Sequence, residues 1–442
     1  MRLLGQFLFS RPRFSTFRSW INAKRPSVGI IFATCLTLLI ASTALAQTSL
    51  TTLYAFTGKN GDGANPVGDL TMDSQGVLYG VDPTFGRAAR IYQLAPPMFG
   101  TGSWTKTNLY TGLPGTPVGG HLRPVILGKN GELYGTSEVC PFVPHGCVFQ
   151  LAPPASPGGA WTMNVIYAFQ GEIHRDGKQV AYGKLAIDGN GNLYGVTQAG
   201  GVSASKSGGT VYELSPPATP GGVWTEQVLY RFQNVRGGFF YPLVNATLGN
   251  DGALYGSTRL AQTKYGFSAP GVIYRLAPPA VPGGAWTASV INSDIAGFGY
   301  FSRVSQLTVA PSGTLYGVST FVGGAFALTP PAVVGGAWTP SRLPSNAGGG
   351  PGSELELDAN GNLYGTDGQS AYKLTAPSTP GGAWAYSVLH AFLGGSEGSI
   401  PSGRPLIDSS GNVFGTTLAG GPGTCKTWTG VLVGCGTVFE LQ

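Results

Sequence analysis

The sequence predicts an all-β protein, a seven-bladed β-propeller of four-stranded antiparallel blades. Three observations carry this expectation. A phrase built on Leu-Tyr-Gly recurs seven times, centred on Tyr79, Tyr134, Tyr194, Tyr255, Tyr316, Tyr364 and Phe414, at intervals of 55, 60, 61, 61, 48 and 50 residues. Periods in this range belong to propellers, solenoids and arrays. Short apolar runs bounded by Gly, Pro and Asn fill each interval, and no segment of 47–442 keeps a helical period. The ends also fit a ring. "TTLYAF" (51–56) matches the fourth strand of other units, while the chain stops at "GTVFELQ", a third strand. The 71 glycines and 33 prolines would argue for disorder without a period. With one, they are turns.

The first 46 residues read as a signal peptide. A basic stretch ends at Lys24-Arg25, the apolar run "VGIIFATCLTLLIA" follows, and Ala44-Leu45-Ala46 supplies the small-x-small pattern that predicts cleavage before Gln47. The rival is an uncleaved anchor, since 28–46 is just long enough to span a bilayer. This leader also explains the net charge of +6. It holds Arg2, Arg11, Arg13, Arg18, Lys24 and Arg25, and the remaining 20 basic residues match the 20 acids. A neutral body gives no footprint for nucleic acid or anionic lipid. Residues 47–442 are expected to form one monomeric propeller domain, secreted, periplasmic or held at the cell surface, with no membrane span once the leader is removed.

The third unit shows the elements in order. "KLAID" (184–188) is the inner strand, "GNGN" a hairpin, and "LYGVT" (193–197) the second strand. A Gly-rich loop leads to "TVYEL" (210–214), then "SPPATPGG", then the outer strand "WTEQVLYRF" (224–232). Asp73, Asp188, Asp358 and Asp408 open the hairpin, where a carboxylate accepts backbone N–H groups. Gly76, Gly131, Gly191, Gly252, Gly313, Gly361 and Gly411 stand where positive φ is needed. "DGNGN" has the oxygen-rich look of a calcium loop. Three units carry Gly128, Gly249 or Ala310 in place of the Asp, so a turn is expected and no metal. One Trp per blade, at 104, 161, 224, 286, 338 and 384, reads as packing between sheets rather than a saccharide platform. Apart from Cys35 in the leader, Cys140 and Cys147, and Cys425 and Cys435, are local pairs; disulfides are expected in an exported chain, against a metal site lacking any CxxC.

"YAFTGKNGDGANPVGDLTMDSQGVLYG" (54–80), "GNLYGVTQAGG" and "GCGTVFEL" (434–441) resemble the tandem-repeat family named GloVer, found in bacterial exported proteins. The resemblance covers 50–442 and implies export and a repetitive β fold. It brings no catalytic residues. Units five and six depart by shortening the loop after Leu-Tyr-Gly.

The loops joining strands two and three, and blade to blade, share one face. The Pro-rich turns "APPASPGGAW", "SPPATPGGVW", "APPAVPGGAW" and "TPPAVVGGAW" share the other and barely vary. Variation over a fixed scaffold is where loops carry function. The link "QGEIHRDGKQVAYG" (170–183) packs Glu172, His174, Arg175, Asp176 and Lys178 together, against the plainer reading of a solvated charged loop. Ligand contacts are expected from His174, Arg175 and Asp176, joined by Asp82, Arg87, Lys206, Lys264, Asp367 and Trp428, with Lys426 and Trp428 in a loop that a disulfide would rigidify. The four histidines have no metal-ligand spacing, and no nucleophile elbow, Walker loop or dinucleotide fingerprint occurs. The expected role is binding of a glycan or another envelope polymer, without a cofactor. The rivals are a loop-face polysaccharide lyase or hydrolase, with His174 and Asp176 moving protons, and a structural spacer that has no ligand.

Overall fold

The computed structural model describes residues 48–442 apart from 83–87, 99, 101, 114–115, 141–143, 204–205, 220, 236–237, 263–267, 282, 293–303, 320–323, 334, 346–353, 380 and 427–430. The leader and its predicted cleavage site lie outside these residues. Seven four-stranded antiparallel sheets follow one another around the ring. Blade 1 comprises Thr71–Met72, Leu78–Asp82, Ala89–Ala95 and Thr105–Gly112, from inner to outer strand. Blade 7 takes Ser399–Ile407, Val413–Ala419 and Thr437–Leu441 from the C-terminal end, and Leu50–Ala55 from the N-terminal end. Leu50 stands opposite Leu441 and Ala55 opposite Thr437. The N-terminal strand closes the ring and covers what would be an open sheet edge.

The repeated phrase is explained by alternation along the second strand. Leu193 and Gly195 face one side of blade 3, and Tyr194 faces the other. Leu193 is buried, and Gly195 lies directly against the fully buried Tyr212, whose hydroxyl occupies the space a Cβ would need. Tyr or Phe takes this place in every blade: Tyr92, Phe149, Tyr212, Tyr274, Phe326, Tyr372 and Phe439. The phrase's Tyr packs edge-on against the Trp of the next blade, as in Tyr79–Trp161 at 6.3 Å and Tyr134–Trp224 at 5.6 Å. The tryptophans are inter-blade packing.

The hairpins form as expected. Asp188 Oδ1 accepts the N–H groups of Asn190 (2.8 Å) and Asn192 (2.9 Å), and Gly191 has φ 88°. Asp73, Asp358 and Asp408 do the same. Where the first position lacks an acid, a later one takes over: Glu132 accepts from Asn130 N, and Asp251 from Ala253 N. Both expected disulfides are present, Cys140–Cys147 and Cys425–Cys435.

Two features were not foreseen. The inner strands of blades 2 and 3 are each broken in two, Gly120–Leu122 with Ile126–Leu127, and Lys178–Val180 with Ala186–Ile187. Blade 4 carries an added three-stranded ribbon, Phe239–Phe240, Leu260–Gln262 and Ser268–Pro270.

Candidate functional site

Each inner strand enters from the loop face, so the residues just before it meet around the axis on that side. The position ahead of the inner strand's buried residue is Asp69, Lys184, Asn245, Gln306, Glu354 and Arg404 in six blades, and Pro124 in blade 2. These side chains strap the ring across its centre. Gln306 of blade 5 exchanges two hydrogen bonds with the Lys184 backbone of blade 3, at 3.1 and 3.0 Å. The Lys184 ammonium donates to the Leu70 carbonyl of blade 1 at 2.6 Å. The Arg404 guanidinium reaches Glu354 at 3.3 Å, Glu356 at 3.5 Å and the Gln306 carbonyl at 3.4 Å, while its backbone N–H donates to Asp69. Gly183, at φ 82°, leaves the space through which Gln306 passes.

Burial dominates the electrostatics here. It pushes the Glu354 carboxyl up to about 8, with Asp69 adding to the shift and Arg404 opposing it. Burial also raises Glu356 and lowers the Lys184 ammonium. Charges this poorly hydrated persist only because they pair with one another. The network spans the ring across its axis, and burial favours the protonated form of Glu354.

Beside it on the loop face, Tyr182 is 49% exposed. Backbone bonds to Leu243 and Asn245 fix it at the junction of blades 3 and 4. The Arg123 guanidinium stacks over one face of its ring at 3.9 Å. Arg123 is itself ion-paired with Glu138, whose other oxygen lies 3.1 Å from His121 Nδ1. The result is a half-exposed ring with one face covered, flanked by a carboxylate, a guanidinium and a partly exposed imidazole. Such a surface can take the apolar face of a sugar ring and bond its hydroxyls.

The Gloeobacter/Verrucomicrobia repeat matches residues 121–371, more than half of the chain. The chain belongs to this repeat family. No curated protein matches it. Among solved structures it is similar to virginiamycin B lyase from Staphylococcus aureus, at 15% identity and TM-score 0.51, over 89% of this chain and 99% of that one. It is also similar to a protein from Lactobacillus plantarum, at 16% identity and TM-score 0.50, over 74% and 84%. Likeness at this level is likeness of fold.

In this member of the repeat family the residues expected to contact ligand are scattered. His174 and Arg175 are exposed on the link between blades 2 and 3. Asp176 is 2% exposed and turned into the fold: it accepts the Tyr167 hydroxyl at 2.8 Å and Gln170 N at 2.9 Å. Among the described residues no hydrogen bond joins His174 to Asp176. The same clip occurs twice more, where Asp62 takes Tyr54 and Thr57 N, and Glu397 takes His390 and Leu393 N. Asp176 is therefore a recurring anchor of the link, not an exposed ligand group. Asp82 is fully buried and pairs with Arg90 at 3.6 Å. Asp367 caps its own turn through Gln369 N and Ser370 N. Lys206 and Lys426 are exposed. Arg87, Lys264 and Trp428 lie outside the described residues.

The axial position and the Tyr182 platform were missed because no single repeat reveals them. Aligning the units on their hairpins and reading the residue ahead of each inner strand's first buried position would have exposed the first. Among the described residues, no group of three His, Cys, Asp or Glu is placed to hold a metal, and no helix is long and apolar enough to cross a membrane. A recess of about 940 Å³ opens on the Pro-rich face around Asp251, Arg275 and Trp338. It lies far from the variable loops, and Arg275 and Asp251 are spent on each other at 2.8 Å. The loop-face groups are the better candidate.

Proposed function

We propose that this protein is an exported binding module for a glycan or another envelope polymer, with its contact surface on the loop face near the axis. The observation that carries the reading is the Tyr182 platform: a half-exposed ring, covered on one side by Arg123 and bordered by Glu138 and His121. His174, Arg175, Lys206 and Lys426 are exposed on the same face and extend the polar surface. The two disulfides and the leader support export to an oxidising compartment. A glycan array on the full mature chain, followed by titration with the best oligosaccharide, tests the reading. Tyr182→Ala should weaken binding by about two- to tenfold, as expected for loss of a stacking face worth about 0.5–1.5 kcal/mol. Paired Pro278→Ala and Pro279→Ala changes on the opposite face should not. Equal binding by Tyr182→Ala and wild type would overturn it.

A lyase or hydrolase has one observation in its favour, the buried Glu354 carboxyl 3.3 Å from the Arg404 guanidinium at the axis, where burial favours its protonated form. Chromatography of the incubated oligosaccharide separates the readings. An unaltered ligand supports binding alone, and shortened or unsaturated products support catalysis. A spacer would bind nothing on the array.

A further inference from the structure

Between neighbouring blades the same aromatic arrangement recurs, and its centre is filled differently each time. At the junction of blades 7 and 1, Tyr54, Phe56 and Tyr92 pack edge-on at 5.2 and 5.3 Å. The Lys106 ammonium sits over all three rings, at 5.7, 5.3 and 5.4 Å, and 3.3 Å from Asp62. At the junction of blades 3 and 4, Tyr230, Phe232 and Tyr274 repeat the pattern at 5.1 and 5.2 Å. There Phe239 fills the centre, lying within 5.6 to 6.1 Å of all three rings.

The junction of blades 2 and 3 has the walls of the first cage without its cation. Tyr167, Phe169 and Tyr212 pack at 5.1 and 5.0 Å, and Asp176 binds Tyr167 as Asp62 binds Tyr54. The residue in the register of Lys106 is Glu226: Lys106 stands opposite Leu94, and Glu226 opposite the equivalent Leu214. Its Oε1 is buried and has no hydrogen-bond partner among the described residues, although the residue as a whole is partly exposed. Burial, then Asp176, pushes its carboxyl up to about 7, against the opposing charge of Arg231. Arg231 is exposed and gives its Nε to the Arg175 carbonyl. A buried carboxylate facing a second one is costly without a counter-charge. Three aromatic faces and two carboxylates together favour a cation.

We propose that the Tyr167–Phe169–Tyr212 cage, with Asp176 and Glu226, binds an ammonium-type cation, ammonium or a primary alkylammonium, in the place the Lys106 side chain takes in the equivalent cage. The test is the melting temperature of the full mature chain at about pH 8.5, where Glu226 is ionised, with methylammonium chloride against sodium chloride at equal ionic strength. Wild type should gain stability saturably with methylammonium over sodium. Glu226→Lys, which carries its own ammonium, should melt higher without additive and lose the specific response. Glu226→Gln, the milder change should the lysine variant fail to fold, should also lose it. No methylammonium-specific response in wild type, or an equal one in either variant, would overturn the proposal.

Discussion

Replacing Gly195 by alanine should destabilise the fold by about 1–3 kcal/mol, the usual cost of forcing a methyl into a filled core. The new Cβ would meet the hydroxyl of Tyr212, which is fully buried and cannot swing away. Gly189, six residues earlier, has open space around its missing Cβ, and Gly189→Ala should stay within about 0.5 kcal/mol of wild type. Urea unfolding of the two variants checks the difference. Glu354 makes a prediction of opposite character. Its carboxyl rises from 4.5 in the unfolded chain to about 8 in the fold, so the folded state holds the proton more tightly. That contribution to stability is complete below about 4.5 and is lost as pH rises through about 8. Calorimetry should find Glu354→Gln gaining on wild type between about pH 5 and about pH 9. A pH-independent difference would contradict it. Single residues were also where the sequence was hardest to read. The charge of Asp176 is visible in the link, but its partner Tyr167 stands nine residues away on the outer strand of blade 2. Local charge density therefore suggested an exposed group where the fold buries the carboxylate.

At the level of elements, the strands and turns were legible because each is specified locally. Asp at the head of a hairpin, Gly at positive φ and Val- or Tyr-rich runs need no distant partner to declare themselves. The broken inner strands and the blade 4 ribbon were not legible, since the strands forming them are only two or three residues long and pair only through tertiary context. The disulfides belong to this scale. Cys435 packs with Leu53 of the closing strand and with Phe56 just after it, and both sulfurs of the Cys425–Cys435 bridge crowd Gly58. Converting this pair to serine should cost on the order of 2–3 kcal/mol. It should also raise hydrogen exchange across Leu50–Ala55. Converting Cys140 and Cys147 should leave exchange in that strand unchanged, because their loop is in blade 2. Equal effects of the two changes on the closing strand would contradict the assignment of the first bridge to the seam.

The whole molecule rests on closure. Seven blades form one continuous core only if the last is completed by the first strand of the chain, and the axial straps from Lys184, Gln306 and Arg404 span the ring only when it is shut. The number of repeats and the unmatched strands at the two ends made closure readable in the sequence. The axial charges and the Tyr182 platform were not, because residues from four or more blades meet there only after folding. The direct test is to delete residues 47–58 and compare melting of the truncated and full mature chains. Closure predicts that the truncated chain melts far lower and loses its single cooperative transition, with Thr437–Leu441 left as an open edge. Melting within a degree or two of the full chain would contradict it.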